Sequence, residues 1–217
     1  MTDFATRRTM MVDTQVRPSD VTKFNVIEAM LSIPREEFVP RDKREAAYVG
    51  ENMSIGADRT ILEPRTFAKM LDATDVQQSE MVLIIGAGYG YGAAVLSRLA
   101  ELVVAVEEDE AMLSEAQEAM SENGFDNVVF EGNALDQGAA AHGPYDAIVI
   151  EGAVEEIPEA ILDQVKEGGR ICAVFAEGSL GTVRIGYKLG GEMNWQYAFN
   201  AGAPVLTGFK RTMAFSL

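Results

Sequence analysis

Apolar residues first fall into register after Ser19 and Asp20, which offer helix N-caps. Phe24, Val26, Ile27, Met30 and Leu31 recur at helical spacing, and Pro34 limits that helix. A second short helix is expected over 41–48, followed by a loop from Gly50 to Arg59. Pro64 suits the first turn of a third helix, with Phe67, Met70 and Leu71 on one face. Residues 1–75 therefore read as a helical segment with a loop, packed on a larger core at 76–217.

The pattern changes at Met81. Met81-Val82-Leu83-Ile84-Ile85 is apolar at every position, as in a central parallel strand covered on both faces. Helical spacing follows over 93–99, then a strand over 102–106, a helix over 112–120 and a strand over 128–130. A fourth strand is expected at 147–150, a helix at 157–165 ended by Gly168-Gly169, and a fifth strand at 171–175. This alternation predicts a doubly wound parallel sheet. Strand-like runs over 182–189 and 193–199 then flank Gly190-Gly191, which reads as a hairpin. The expected fold is α/β and Rossmann-like, with a mostly parallel sheet, an antiparallel C-terminal hairpin and an N-terminal helical extension.

Composition narrows the function. A formal charge of −16 disfavours phosphate backbones and anionic membranes as partners. The single cysteine, Cys172, cannot form an internal disulfide, which suits a reducing compartment. Neither a signal-peptide core near Met1 to Val12 nor an apolar run of membrane length is visible. A cytoplasmic location is expected.

Directly after the first strand stands Gly86-Ala87-Gly88-Tyr89-Gly90-Tyr91-Gly92. Glycine permits the sharp turn and close ligand approach, and the helix behind offers free N–H groups. Glu107 ends the second strand, where a carboxylate can accept both hydroxyls of a ribose. A dinucleotide fingerprint starting at Gly86 requires a small residue at position 91, which is Tyr91. The register Gly88, Gly90, Ala93 begins two residues too late. A nucleoside ligand without pyrophosphate, such as S-adenosylmethionine, fits better. Glu108 and Asp109 are either part of that site or acids at a solvated helix N-terminus.

Nearly the whole chain resembles the protein-L-isoaspartate O-methyltransferases. The resemblance rests on Val26-Ile27-Glu28-Ala29-Met30, on Ile33-Pro34-Arg35-Glu36-Glu37-Phe38-Val39-Pro40 and on Ala46-Ala47-Tyr48. It continues through Val82 to Tyr91, Tyr145-Asp146-Ala147-Ile148 and the stretch from Pro158 to Arg170. It implies methyl transfer from S-adenosylmethionine to the free carboxylate of L-isoaspartyl residues in damaged proteins. Such a carboxylate is ionised at neutral pH, so no general base is needed. Alignment in a water-poor site can supply much of the acceleration.

Carried over by position, the donor-side candidates are Gly86, Ala87, Gly88, Tyr91, Glu107, Glu108, Asn133, Ala134 and Glu151. Asn133 stands where the family usually has an aspartate near the adenine. The candidates on the catalytic, acceptor side are Arg59, Thr60 and Leu62. The family loop reads Gly-Gln-Thr-Ile-Ser-x-Pro, whereas this chain has Asp58-Arg59-Thr60-Ile61-Leu62-Glu63-Pro64. Leucine replaces the serine that would meet the substrate carboxylate. Arg59 is either a substitute carboxylate clamp or a surface residue paired with an acid such as Glu63. Glu151-Gly152-Ala153 replaces the usual Thr-Ala-Ala. A methyltransferase with another acceptor, and a non-catalytic donor-binding protein, remain alternatives.

His142 lacks partners at ligand spacing, so no metal is expected. Cys172 reads as core, and Trp195, Tyr197 and Phe199 read as residues covering a sheet face.

Overall fold

The computed structural model describes residues 3–56, 58–178 and 180–211. Helix α1 (Phe4–Met11) is capped by Asp3, whose side chain accepts from the Thr6 amide, and continues as a π-helical turn over Val12–Val16. The sequence pattern predicts no helix here. Its buried residues, Met11, Val12 and Val16, are too few to mark a helical face among the polar residues around them.

Helix α2 (Phe24–Ser32) starts after Lys23 without a side-chain cap. The expected caps act elsewhere: Ser19 donates back to Gln15 O, and Asp20 takes a left-handed conformation. The Asp72 carboxylate accepts the Thr22 and Lys23 amides instead. Val26, Ile27 and Met30 face inward as expected, whereas Phe24 is 83% exposed. The expected helix over 41–48 is a 3-10 turn, Arg41–Ala46, preceded by another, Arg35–Phe38. A small antiparallel pair, β1 (Met53–Ser54) with β2 (Thr60–Ile61), was not foreseen. Helix α3 (Pro64–Thr74) begins at its proline and buries Phe67, Met70 and Leu71.

The main sheet contains β3 (Met81–Ile85), β4 (Leu102–Val106), β5 (Val128–Glu131), β6 (Tyr145–Val154), β7 (Val165–Glu177), β8 (Leu180–Leu189) and β9 (Glu192–Asn200). Its order is β5-β4-β3-β6-β7-β8-β9. The first five are parallel, and β8 and β9 follow as antiparallel neighbours. Helices α4 (Tyr91–Ser97), α5 (Glu110–Glu122) and α6 (Glu159–Leu162) connect the parallel strands.

One expectation needs correction. The helix expected over 157–165 is only the short α6, and Gly168 and Gly169 lie inside β7. Val165 already pairs with Tyr145, and the register shifts before Ala147 pairs with Arg170. A Cβ on Gly169 would lie 3.0 Å from Asp146 O and 3.1 Å from Tyr145 O, so glycine permits the close approach.

Alternate strand residues face two apolar layers. Val82, Ile84, Val103, Ala105, Ala147 and Val149 share one layer with the N-terminal helices, through Met11, Val26, Phe38, Phe67 and Leu71. Leu83, Ile85, Val104, Val106, Ile148 and Ile150 join the other, closed by Leu206 and Phe209. Arg170 ties β7 to the end of α3 and to the segment before β3. It donates to both Glu80 carboxylate oxygens (2.8 and 2.7 Å), to Asp75 O and to Thr74 O. On β9, Phe199 is buried and Trp195 packs edge-on to Phe175 at 4.9 Å. Tyr197 is 64% exposed and covers nothing, contrary to expectation.

Candidate active site

The site lies where β3, β4 and β6 end, at the topological switch of the sheet. The turn after β3 is anchored by the Gly86 and Ala87 amides, which donate to Val106 O at 3.0 and 3.1 Å. Gly86, Gly88 and Gly90 all have positive φ (82°, 54° and 90°), which accounts for glycine at each position. Helix α4 begins at Tyr91, but the Tyr91 ring turns away from this cradle. It packs on Phe67 and under the Arg35 guanidinium, 4.4 Å from ring centroid to Cζ.

Glu107 is fully buried beside the turn, and its carboxylate is saturated with donors. Oε1 accepts from Arg59 Nη1 (2.9 Å) and the Asp109 amide (3.0 Å). Oε2 accepts from the Gly88 amide (2.6 Å) and from Arg59 Nη2. Arg59 is thus buried against Glu107, neither exposed nor paired with Glu63. Its guanidinium covers the glycine turn, with Nη2 3.7 Å from where a Gly86 Cβ would stand. Ile55 covers the next glycine, its Cδ1 3.0 Å from the Cβ position of Gly88.

The other candidates surround this centre. The Thr60 hydroxyl donates to Met53 O at 3.0 Å, inside the β1–β2 pair. The Leu62 side chain is fully buried, and its carbonyl accepts from Arg35 Nη2 at 2.8 Å. Glu108 receives the Leu135 amide at 3.4 Å. Asp109 caps α5 by accepting the Ala111 and Met112 amides. Asn133 is exposed and donates its amide to Gly138 O at 2.9 Å, which leaves the side-chain oxygen free, and Ala134 beside it is exposed.

Glu151, in β6 just past the last residue paired with β3, is buried with Oε2 unpartnered. Burial pushes its pKa up to about 7, against the opposing pull of Arg35, Arg59 and the Leu62 amide. Gly92 makes room for it, since a Cβ there would collide with the carboxylate and with Ile84. Arg35 was not foreseen as part of the site. It is buried, donates to Ala47 O and Leu62 O, and leaves Nη1 unpartnered, as is the Tyr91 hydroxyl. Leu206, also unforeseen, walls the opposite side against Gly86 and Gly152. The segment carrying it is held by bonds between Ala153 and Pro204 and between Leu206 and Ala153, both 2.9 Å.

Elsewhere, Cys172 lies in the core, where burial pushes its thiol up to about 12. His142 meets Glu131 at 2.6 Å. Among the described residues, no group of three or more His, Cys, Asp or Glu side chains is placed to hold a metal. No helix among them is long and apolar enough to cross a membrane.

A glycine turn at a strand end with a buried carboxylate beside it suits a nucleoside. Comparison with known proteins agrees with that chemistry. Residues 6–186 match the model of the Protein-L-isoaspartate(D-aspartate) O-methyltransferase family. The chain belongs to this family.

A Protein-L-isoaspartate O-methyltransferase 2 of Anaeromyxobacter sp. is 37% identical over 180 residues, covering 83% of this chain and 73% of that relative. The Protein-L-isoaspartate O-methyltransferase of Methanoculleus marisnigri is 34% identical over 209 residues, covering 87% and 94%. A solved protein-L-isoaspartate O-methyltransferase superposes with a TM-score of 0.81 at 26% identity, over 93% of this chain and 66% of that one. A putative Plasmodium falciparum protein-L-isoaspartate O-methyltransferase, solved with S-adenosyl-L-homocysteine, gives a TM-score of 0.79 at 16% identity, over 95% and 99%, and supports the fold. The protein is an S-adenosylmethionine-dependent O-methyltransferase of the isoaspartate-repair class.

Proposed function

We propose that the cradle formed by Gly86, Ala87, Gly88 and Glu107 holds the methyl donor, with Glu108, Asn133 and Ala134 at its adenine end. The observation carrying this reading is Glu107, buried at the end of β4 and bonded to the Gly88 amide. When bound, S-adenosylmethionine supplies an electrophilic methyl group. The residues of the chain hold and orient: the glycine backbone permits close approach, and Glu107 accepts ribose hydroxyls. Leu62, Ile55 and Leu206 exclude water, which favours attack by an already ionised carboxylate. Tyr91 serves this arrangement by packing α4 on the N-terminal extension rather than by touching the donor.

The acceptor proposed is the free α-carboxylate of an isoaspartyl residue in a damaged protein, encountered in the cytoplasm. One observation favours a second acceptor. Leu62 offers no hydroxyl, and the unpartnered Glu151 oxygen, where ionised, repels an anionic substrate.

Radiolabelled methyl transfer to an isoaspartyl peptide, with the aspartyl peptide as control, tests this proposal. Label confined to the isoaspartyl peptide, released by mild base as an ester is, is the expected result. Donor binding without transfer to that peptide would overturn the acceptor assignment and leave the donor site standing.

A further inference from the structure

We propose that Arg59 is an internal competitor of the methyl donor: its guanidinium occupies the donor-binding carboxylate and must leave before the donor can enter. The inference rests on the donor reading of the Glu107 site.

A carboxylate offers about four acceptor directions on its two oxygens. In Glu107 all four are taken, two by Arg59 and two by the Gly88 and Asp109 amides. The backbone donors are fixed by the fold, whereas Arg59 comes from the loop between β1 and β2. Ribose hydroxyls can therefore reach Glu107 only at the expense of Arg59. The same loop sets Ile55 against Gly88, where a ligand would rest on the bare backbone. Backbone bonding couples the two residues, because the Ile55 amide donates to Arg59 O at 3.0 Å. Ile55 and the Arg59 guanidinium thus cover both halves of the cradle together.

Energetically the seat of Arg59 is incomplete. Its Nε is buried without a partner, while the Nη atoms make charge-assisted bonds to Glu107. An ion pair with one orphaned donor is strong enough to persist and weaker than a fully satisfied one. Glu151, whose carboxyl is also influenced by Arg59, remains as a second buried acid when the guanidinium departs. A cationic ligand therefore replaces the lost positive charge, which suits a sulfonium nucleoside better than a neutral one.

If only a minor fraction of molecules has Arg59 displaced, the apparent affinity falls by that fraction. Isothermal calorimetry with S-adenosylmethionine, which cannot transfer its methyl group while no acceptor is present, reads the effect directly. Arg59→Gln, which loses the charge and one limb of the fork, is expected to bind about tenfold tighter or more than the unmodified protein. Arg59→Lys keeps a cation and is expected to fall between the two. The ligand-induced rise in unfolding temperature is expected to be larger for Arg59→Gln than for the unmodified protein. Ile55→Ala removes no buried charge, keeps the test readable if Arg59→Gln fails to fold, and is expected to shift affinity in the same direction.

Equal or weaker binding by these variants, with the unmodified protein binding, overturns the competitor role and leaves the donor site intact. Absence of binding by the unmodified protein and variants alike overturns the donor reading, and this inference with it.

Discussion

At the scale of single residues, the site is dominated by buried charge. Glu151 illustrates what that costs. Its folded pKa, raised to about 7 from 4.5, means that the native state holds a proton which the unfolded chain has released. Its contribution is fully present below about pH 4.5 and is lost as the pH rises through 7, because ν_U − ν_N is negative in that window. Glu151→Gln imitates the neutral acid at every pH. Urea unfolding at acidic and mildly alkaline pH is expected to show the variant more stable than the unmodified protein at the alkaline end, by on the order of 3 kcal/mol, and nearly equal at the acidic end. A constant difference across pH would show that Glu151 does not titrate between the two conditions. Gly92 supports the same residue from the other side: with Glu151 and Ile84 against its open face, Gly92→Ala is expected to destabilise by about 1–3 kcal/mol. Calorimetric unfolding measures that cost, and Gly92→Ala in the Glu151→Gln background is not expected to recover it, since the ring of contacts persists.

At the scale of elements, Arg170 fastens the end of α3 to β7 through Glu80, Asp75 and Thr74. Arg170→Ala takes a donor from an acid and from three carbonyls, and is expected to cost about 2–4 kcal/mol in urea unfolding. The β8–β9 hairpin has a built-in reporter. Trp195, the single tryptophan, stacks over Gly186, where a Cβ would stand 2.8 Å from the indole. Gly186→Ala is therefore expected to shift tryptophan emission to the red as the ring is displaced toward water, with the far-ultraviolet spectrum retained. The elements also reveal what the sequence pattern could convey. The strands β3 and β4 are continuous apolar runs, so their bounds were legible to the residue. The span 157–165 was not, because Ile157, Ile161 and Val165 keep helical spacing while Val165 already pairs with Tyr145. Periodicity cannot distinguish a helix turn from an apolar residue beginning a strand. The π turn at Val12–Val16 is not legible either, because it buries only Val12 and Val16 among polar residues.

At the scale of the whole molecule, the Gly86–Gly92 turn and Glu107 were legible because strand-end chemistry is local in sequence. The contact from Arg59 to Glu107 was not, since 48 residues separate them and only the fold brings them together. Global charge is legible from composition, but its consequence depends on where the cations are used. Arg35, Arg59 and Arg170 are buried in internal ties, but Glu36, Glu107 and Glu151 are buried with them, so the surface keeps the strongly acidic balance of the formal −16. Such a surface attracts basic peptides and repels acidic ones, and the attraction is screened once the Debye length falls to a few ångströms. For an isoaspartyl peptide flanked by lysines, KM is expected to rise by about tenfold as salt is raised from about 0.05 to 0.5 M, whereas kcat stays nearly constant. A peptide flanked by glutamates is expected to show the reverse trend, its KM falling as repulsion is screened. The same salt series is expected to raise the unfolding midpoint in urea without changing the slope, because screening relieves self-repulsion of the compact state and leaves the buried surface unchanged. Parallel salt dependence for both peptides would show that the field at the acceptor entrance is not set by net charge, and would assign it to local groups such as Glu151 and Arg35.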